Sequence, residues 1–550
     1  MSENLINEEK IITLENHYKS RIKEQLVRMT TRTKSKATEF LKEFICSGYQ
    51  VGSDVLDLLM SKEQPEILIK QIIDTANQLS KSPLVITKEF LNSIEPLIKG
   101  KKRSIGTNIF KRDFERATPV IKRDMLRNAT EKNLIDAKEV EADITIIKTP
   151  NTTRTASKIP IENLTNLFQS RYDKLKNLLL ERSDTQNYVP ITELHSSDEW
   201  VDFHIIGMVA SKRETKKGGY FLELDDPTGT LQLIVPTKED NLVRKAELLL
   251  DDQVICIHGA MRNKVFLVKD ILLPEIPTTH KWKGAPIPIC AALISDLHVG
   301  SVKFLDDVFH QFTLWLKGEV GDKRARTLGR SIKYLLIAGD IVEGIGIFPN
   351  QEEELSIKDI YQQYDEVSKL LEQVPDHIEI IIIPGNHDAT RQALPQPPVP
   401  KEFAEKLYEM SNVQVLGSPA YIKLHNIKVL LDHGRSLDDV VESIPTIETK
   451  APDSAMVVLL RARHLAPRWG GKTTLAHETD FLVIDEIPDI FHAGHTHTNG
   501  ATVYRGVTVI NSGAFQAQTN YQKRININPT PGRVPIVNLK TGHVTEIDFN

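Results

Sequence analysis

The chain has 550 residues, of which 40% are hydrophobic and 26% are charged, and its formal net charge is -5 at pH 7. This composition is ordinary for a globular protein, and it excludes collagen-like, coiled-coil and wholly disordered chains. The acidic total also excludes a uniformly basic nucleic-acid coat, although a local basic patch remains compatible with it.

The sequence contains no segment typical of a membrane span or a secretory signal. Its apolar runs, such as residues 380–383, have the length of a strand, and the N-terminal MSENLINEEK is polar. Cys46, Cys256 and Cys290 lie far apart, which predicts neither a disulfide framework nor a CxxC zinc pair. We therefore expect an intracellular protein in a reducing compartment, without membrane contact.

Two N-terminal regions differ in composition and in apolar spacing. Apolar residues recur at helical spacing over 36–98, which predicts a small helical module within 1–98. Residues 99–160 are first basic and then rich in Thr, Ser and Pro, which favours a flexible tether. A poorly patterned helical domain is the alternative for this stretch. The module and tether form either a recruitment arm or a solvated spacer.

The region 161–284 is predicted to be a helix followed by a small antiparallel β-barrel. A helix is expected over 161–181, and alternating strand-like segments follow between 200 and 275, separated by turns such as DDPTG and GAMRN. This strand number suits an OB-fold. Because stacking aromatic residues are few here, we favour a packing role over single-strand binding.

The region 285–550 carries the candidate chemistry. Five apolar segments each end in polar metal-ligand types: ICAALISDLHVGS, IKYLLIAGDIVEG, IEIIIIPGNHDAT, IKVLLDHGRS and DIFHAGHTHTNG. Strand ends and the loops after them are where α/β folds place functional groups. The candidate metal ligands are Asp296, His298, Asp340, Asn386, His433, His495 and His497. In D-x-H and H-x-H, a strand-like backbone would turn both ligands to the same side.

The mixture of ligand types indicates the kind of metal site. Imidazole, carboxylate and amide groups without thiolate suit Mn, Fe, Zn or Co rather than a structural zinc. The set exceeds the needs of a single tetrahedral ion, and Asp340 is placed to bridge two ions. Two such ions can clamp a phosphate, so the pattern predicts a dinuclear phosphoesterase. His492, inside its apolar run, is interpreted as structural.

These motifs resemble those of the calcineurin-like metallophosphoesterases, a superfamily that includes DNA-repair nucleases. GDIVEGIGIFPNQ, GNHDATRQALPQPPVP, LDHGRSLDDVV, HLAPRWGGK and VIDEIPDIFHAGHTHTNG further resemble the small subunit of archaeal family D DNA polymerase. The resemblance implies a four-layered α/β/β/α phosphoesterase domain over 285–550, preceded in the chain by the helical module and the OB-fold. It also implies a 3′–5′ proofreading exonuclease in the cytoplasm of a prokaryotic cell, associated with the nucleoid.

The resemblance also assigns roles to individual residues. One ion would be held by Asp296, His298, Asp340 and His497, and the other by Asp340, Asn386, His433 and His495. His387 matches the catalytic histidine that is not a ligand. The implied cofactors are two divalent ions, with Mn²⁺ first and Fe, Zn or Co as alternatives.

The implied partners are a large catalytic polymerase subunit and primer–template DNA with a frayed 3′ end. The sliding clamp is kept as a further candidate, although no Q-x-x-hydrophobic-x-x-aromatic-aromatic motif stands out. Loop residues near the motifs could hold DNA phosphates, and their alternatives are a solvated surface or a subunit contact. These residues are Arg391, Arg435, Arg463, Arg468 and Lys472.

Two other functions remain open from the sequence. One is a non-catalytic stabilising subunit with a vestigial site, which the complete ligand set disfavours. The other is a stand-alone DNA-repair phosphoesterase, which the additional N-terminal regions disfavour.

Overall fold

The computed structural model describes residues 50–51, 69, 72, 85–86, 120–126, 134–150, 161–185, 187–194, 201–262, 265–475 and 479–550. The chain divides into two compact units, Met1–Phe114 and Glu115–Asn550. In the first unit, β1 (Gln50–Val51) pairs in parallel with β2 (Val85–Ile86). The rest of the predicted helical module lies almost wholly outside the described residues. Among the described residues, no helix combines the length and apolarity that a bilayer crossing requires.

The middle of the chain forms a closed barrel with strand order β5-β6-β7-β9-β8. Its strands are β5 (Asp202–Glu214), β6 (Tyr220–Asp226), β7 (Gly229–Val235), β8 (Val254–Arg262) and β9 (Val265–Leu272). The expectation of a wholly antiparallel barrel is wrong for one pair, because β7 and β9 run parallel. Strand directions cannot alternate all the way round a closed ring with an odd number of strands, so one parallel pair is required.

Helix α1 (Ile161–Leu180) precedes the barrel and packs against it. Its Tyr172, Leu175 and Leu179 form one buried cluster with Ile206 and other barrel residues. Helix α2 (Asp240–Glu247) lies between β7 and β8 in the chain. The predicted helix at 161–181 and the predicted strands between 200 and 275 therefore form as expected.

Residues after the barrel form two sheets. A seven-stranded sheet has the order β13-β12-β11-β10-β19-β20-β3, and a six-stranded sheet has the order β17-β18-β16-β15-β14-β4. The first contains β3 (Val120–Leu126), β10 (Cys290–Ile294), β11 (Ile332–Ala338), β12 (Glu379–Ile383), β13 (Val413–Val415), β19 (Arg533–Asn538) and β20 (Val544–Asp548). The second contains β4 (Ile144–Lys148), β14 (Ala420–Leu424), β15 (Ile427–Leu431), β16 (Ile490–Ala493), β17 (Gly500–Tyr504) and β18 (Val507–Asn511).

The helices of this region complete its cores. They are α3 (Asp306–Leu316), α4 (Lys323–Arg330), α5 (Ile360–Leu371), α6 (Glu405–Glu409), α7 (Leu437–Ser443), α8 (Pro452–Ala462) and α9 (Asn520–Arg524). Alternate residues of β10 point to opposite faces, as strand geometry requires. Ala292 packs in a cluster with α3 and α5, whereas Leu293 packs in a cluster with Val429 of the six-stranded sheet.

The prediction of a flexible tether over 99–160 is wrong for two segments. β3 pairs antiparallel with β20, and β4 pairs antiparallel with β14. Both strands lie at sheet edges, where one neighbour supplies their hydrogen bonds. Edge strands are only partly covered, and every residue of β4 is exposed or half-buried, so their apolar pattern is weak in the sequence.

Candidate metal centre

The seven predicted ligands come together at the carboxyl ends of strands from both sheets. Asp296, Asp340 and Asn386 follow β10, β11 and β12, whereas the histidines 433, 495 and 497 follow β15 and β16. β10, β11 and β12 are mutually parallel, as are β15 and β16. Within each sheet, the carboxyl ends that carry the ligands therefore lie at the same edge. The site therefore lies where the two sheets meet.

One ligand cluster contains Asp296, His298 and His497. His298 Nε2 lies 3.1 Å from His497 Nε2 and 3.8 Å from Asp296 Oδ1. His497 Nε2 lies 3.4 Å from the same carboxylate oxygen. All three side chains are buried, and their ligand atoms could contact one ion.

The second cluster contains Asp340, Asn386, His433 and His495. His433 Nε2 lies 3.3 Å from Asp340 Oδ2 and 3.1 Å from Asn386 Oδ1. His433 Nδ1 donates to the carbonyl oxygen of Ala338 at 2.8 Å, which leaves Nε2 as the ligand nitrogen. Asp340 Oδ2 also lies 3.8 Å from His298 Nε2, so this carboxylate spans both clusters.

The structure corrects the expected backbone of the D-x-H and H-x-H motifs. Asp296, His298, Asp340, His495 and His497 have φ between 52° and 70°, the left-handed region rather than a strand conformation. Non-glycine residues in this region are strained by about 1–3 kcal/mol each. The loops turn immediately after their strands, and this turn rather than strand alternation brings residues i and i+2 together. Such strain is typical of a functional site.

Two glycines are required by close packing at the site. A Cβ on Gly385 would lie 2.7 Å from His433 Cε1 and would also collide with the carboxylate of Asp340. A Cβ on Gly494 would lie 2.6 Å from Asp296 Oδ2. These distances are too short for a side chain, so only glycine allows both loops to approach the ligands.

Three further carboxylates surround the ligands, and the sequence analysis did not identify them. Glu343 Oε2 lies 2.9 Å from His298 Nδ1. Asp388 accepts hydrogen bonds from the amides of Asp340 and Gly385, both at 2.8 Å. Asp438 Oδ2 lies 3.4 Å from His495 Nε2. Their positions within GDIVEG, GNHD and the segment after His433 are the signal that could have identified them.

His387 is anchored beside the ligands. Its Nδ1 donates to the carbonyl oxygen of Glu343 at 2.7 Å, and its amide donates to Asp340 Oδ1 at 2.7 Å. Its ring lies edge-on to His298 with centroids 4.6 Å apart. Burial lowers the pKa of His387. The Nε2 atom is thus the ring nitrogen that does not contact the Glu343 carbonyl.

The electrostatics of the donor set fit divalent cations. Burial raises the pKa of Asp340, but His433 and His387 outweigh it and hold the pKa well below its usual range. Burial likewise opposes ionisation of His433, yet Asp340 raises its pKa to about 9. Both shifts favour a positive charge within the cluster. A metal ion supplies that charge while the imidazole stays neutral, which is its ligand form.

An unsatisfied atom supports the same conclusion. Asp296 Oδ1 is buried and has no hydrogen-bond partner, although Oδ2 accepts from the amide of His495 at 2.9 Å. Leaving a buried carboxylate oxygen unpaired is costly. A cation between Asp296, His298 and His497 would satisfy it. The residues present therefore fit a site for metal ions.

The structure separates the predicted DNA-contacting residues. Arg463 is 4% exposed, and its guanidinium donates to the carbonyl oxygens of Ile484 at 2.6 Å and Asp485 at 2.8 Å. The prediction that Arg463 holds a DNA phosphate is therefore wrong, because its guanidinium is buried and bound to backbone carbonyl oxygens of the protein. The position of Arg463 in the sequence, in a loop near the motifs, does not indicate that its side chain is buried.

The other four residues are more accessible. Arg391 donates to the carbonyl oxygen of Pro395, and Arg435 is half-buried. Arg468 Nη1 lies 3.2 Å from Ser443 Oγ. Lys472 Nζ lies 3.8 Å from Asp438, which itself contacts His495, so this lysine is close to the ligands. DNA binding by these residues stays a prediction.

His492 is buried in β16, as expected for a structural residue. Its Nε2 lies 3.0 Å from Ser512 Oγ, and burial lowers its pKa to about 3. It takes no part in either ligand cluster.

Comparison with known proteins defines the class of this chain. Residues 291–501 match the family model of the B subunits of DNA polymerases alpha and epsilon. This match covers the ligand loops from Asp296 to His497. The matched segment is therefore similar to the B subunits of DNA polymerases.

Individual relatives define the family more closely. The chain is 42% identical to the DNA polymerase II small subunit of Methanothermobacter thermautotrophicus, over 68% of this chain and 76% of that protein. It is 34% identical to the corresponding subunit of Archaeoglobus fulgidus, over 91% of this chain and 96% of that protein. The chain belongs to the family of small subunits of archaeal family D DNA polymerase.

One solved structure aligns over a small part of the chain. Asparaginyl-tRNA synthetase from Pyrococcus horikoshii covers 15% of this chain and 22% of its own, at 18% identity and a TM-score of 0.15. A likeness of this size carries no argument about fold or function.

Proposed function

We propose that this subunit is a 3′–5′ exodeoxyribonuclease that hydrolyses the last phosphodiester of a DNA 3′ end. The observation that carries the proposal is the pair of ligand clusters that share Asp340. Asp296, His298, Asp340 and His497 would hold one ion, and Asp340, Asn386, His433 and His495 the other. Bound divalent ions, with Mn²⁺ the preferred candidate, would neutralise the phosphate and lower the pKa of water.

His387 is the proposed general acid. Its Nδ1 is occupied by the Glu343 carbonyl, so Nε2 would give a proton to the departing 3′ oxygen. Burial lowers the pKa of His387 in the free protein. A phosphate anion beside the ring would oppose that effect, because a nearby negative charge favours the protonated imidazole.

The fold supports the phosphoesterase assignment. Residues of β10 pack alternately against helices on one side and against the second sheet on the other. The six-stranded sheet also packs against α7 and α8. We infer from these contacts the four-layered α/β/β/α arrangement of calcineurin-like phosphoesterases. The barrel precedes this domain in the chain.

The proposed partners are a large catalytic polymerase subunit and a primer–template with a frayed 3′ end. The relatives are named as small subunits, which supports a larger partner chain. A paired terminus would have to unstack to reach the buried ligands, so a mispaired end is the favoured substrate. Sliding-clamp binding and a location at the nucleoid remain parts of this proposal.

The alternative of a stabilising subunit with a vestigial site is less well supported, because every predicted ligand is present and buried or half-buried at the site. Titrating the metal-free chain with Mn²⁺ tests the proposal. We expect two ions per chain for the wild type, and loss of both tight sites in Asp340→Ala, since Asp340 is shared. Binding of fewer than two ions by the wild type would contradict a dinuclear centre.

A further inference from the structure

A pocket beside His387 is not used by the metal ligands. Its volume is about 330 Å³ and its lining includes Ile345, Ile347, Ile360, His387 and Phe403. This volume is at the lower end of the range for small-ligand sites. The pocket thus joins an apolar surface to the residue that we assign to proton transfer.

Ile345 lines this pocket, and Phe348 lies nearby, against the ring of His387. Ile345 is 43% exposed and Phe348 is 36% exposed, both on the loop that follows Asp340. The Phe348 ring centroid lies 6.5 Å from that of His387. Phe403 stacks on Tyr361 with centroids 5.3 Å apart. Large apolar groups left in water at a concave surface indicate a ligand.

The loop that presents Ile345 and Phe348 is held rigidly. Gln363, which is fully buried, accepts from the amide of Gly344 at 2.9 Å and donates to the Gly344 carbonyl at 3.3 Å. Gln351 donates to the Glu343 carbonyl at 3.0 Å and accepts from the amide of Ile347 at 2.9 Å. The exposed side chains are therefore carried on a preorganised loop.

Three polar side chains at the pocket already make hydrogen bonds within the protein. Gln392 Nε2 donates to the Asn386 carbonyl at 2.7 Å, and Thr390 Oγ1 donates to the Pro397 carbonyl at 3.1 Å. Asp388 accepts from the amides of Asp340 and Gly385. The pocket thus offers apolar surface for stacking, with these three polar groups committed elsewhere.

We propose that this pocket receives the base of the 3′-terminal nucleotide, an inference that rests on the exonuclease proposed above. Apolar and aromatic walls bind any base through its flat face, without reading its edge. A subunit that removes mispaired nucleotides has to accept all four bases. Seating the base here would place the phosphate on its 5′ side near His387 and the ligand clusters.

Fluorescence of a single-stranded oligonucleotide ending in 2-aminopurine tests the pocket without requiring turnover. Stacking quenches this base, so the full-length chain should quench it on binding with Ca²⁺ in place of Mn²⁺. Ile345→Ala combined with Phe348→Ala should weaken this quenched complex by about ten-fold. Ile234→Ala is the matched control, because Ile234 is 38% exposed on the barrel. It should bind like the wild type.

Rates of hydrolysis on different 3′ ends distinguish failure of the pocket proposal from failure of the exonuclease proposal. The wild type should release a terminal nucleotide about ten-fold faster than a terminal abasic residue, and the double variant should lose that preference. Equal rates on both termini in an active wild type would overturn the pocket and leave the exonuclease standing. Unchanged quenching in the double variant, together with weaker association with a polymerase partner, would overturn the base pocket. The apolar surface would then be a contact with another protein. An inactive wild type would refute the exonuclease, and quenching would still decide the pocket.

Discussion

Glu343 Oε2 lies 2.9 Å from Nδ1 of His298, whose Nε2 faces Asp296 and His497. Glu343 is 3% exposed and also accepts a hydrogen bond from Gln516 at 2.8 Å. The carboxylate therefore lies within ion-pair distance of the His298 ring, on the side away from the ligand atoms. Such an outer carboxylate orients a metal-binding imidazole and increases its basicity.

Replacing Glu343 should weaken metal binding without unfolding the protein. Glu343→Gln keeps the shape but removes the charge beside His298, and we expect Mn²⁺ affinity to fall by about 10- to 100-fold. Calorimetric titration measures the effect, and Glu352→Gln on the same loop, where the side chain is exposed, is the control. Equal Mn²⁺ affinity in the Glu343 variant and the wild type would show that this contact does not orient the ligand.

Gly385→Ala should remove at least one tightly bound metal ion. The added methyl group would collide with Asp340 and His433, so one or both ligands must move. Gly229→Ala is the matched control, because the nearest atom to its Cβ, on Ile191, is 3.6 Å away. We expect normal Mn²⁺ stoichiometry in the control and loss of at least one ion in Gly385→Ala. Retention of both ions would mean that this loop is more adaptable than its packing indicates.

A buried charge network outside the metal centre should control stability. Arg171 Nε lies 2.7 Å from Asp480 Oδ2, and His464 Nε2 lies 2.8 Å from the same oxygen. Arg171→Met would leave the buried Asp480 charge without its arginine partner, at a cost of about 3–5 kcal/mol in unfolding free energy. Guanidinium unfolding measures this. The exposed ion-pair variant Lys369→Met is the control, and its unfolding free energy should stay close to that of the wild type. A similarly small change in Arg171→Met would contradict a stabilising network.

The same network predicts a loss of stability in acid. Burial lowers the pKa of His464 below its ordinary 6.5, so the unfolded state binds the proton more readily and stability falls as pH drops below about 6.5. Burial opposes ionisation of Asp480, but His464 and Arg171 hold its pKa well below 3.8, which adds a further loss below that pH. His464→Gln should flatten the decline between pH 6.5 and 4 in thermal unfolding. An unchanged slope would exclude His464 as its cause.

The sequence predicted that these seven side chains come together, because each lies in a loop that follows an apolar strand. That they bind metal ions stays a prediction. The sequence did not predict the left-handed backbone of Asp296 and His298, since that conformation depends on packing between loops. Glu343 and Asp388 were missed because a lone carboxylate in a loop has no periodic signal. Arg463 is buried by parts of the chain that are distant in sequence. The pairing of β3 with β20 and of β4 with β14 also depends on such distant contacts, which local patterns do not encode.

The most direct test is digestion of an end-labelled primer–template with a 3′ mismatch, by the chain alone and together with its large subunit, in Mn²⁺. The wild type should shorten the primer stepwise from its 3′ end and release 5′-mononucleotides. His387→Ala should bind two ions as before but lose about 10²- to 10⁴-fold in rate, the usual contribution of a general acid. An absence of shortening in both preparations, with two ions bound, would contradict the exonuclease and leave the metal centre a structural role.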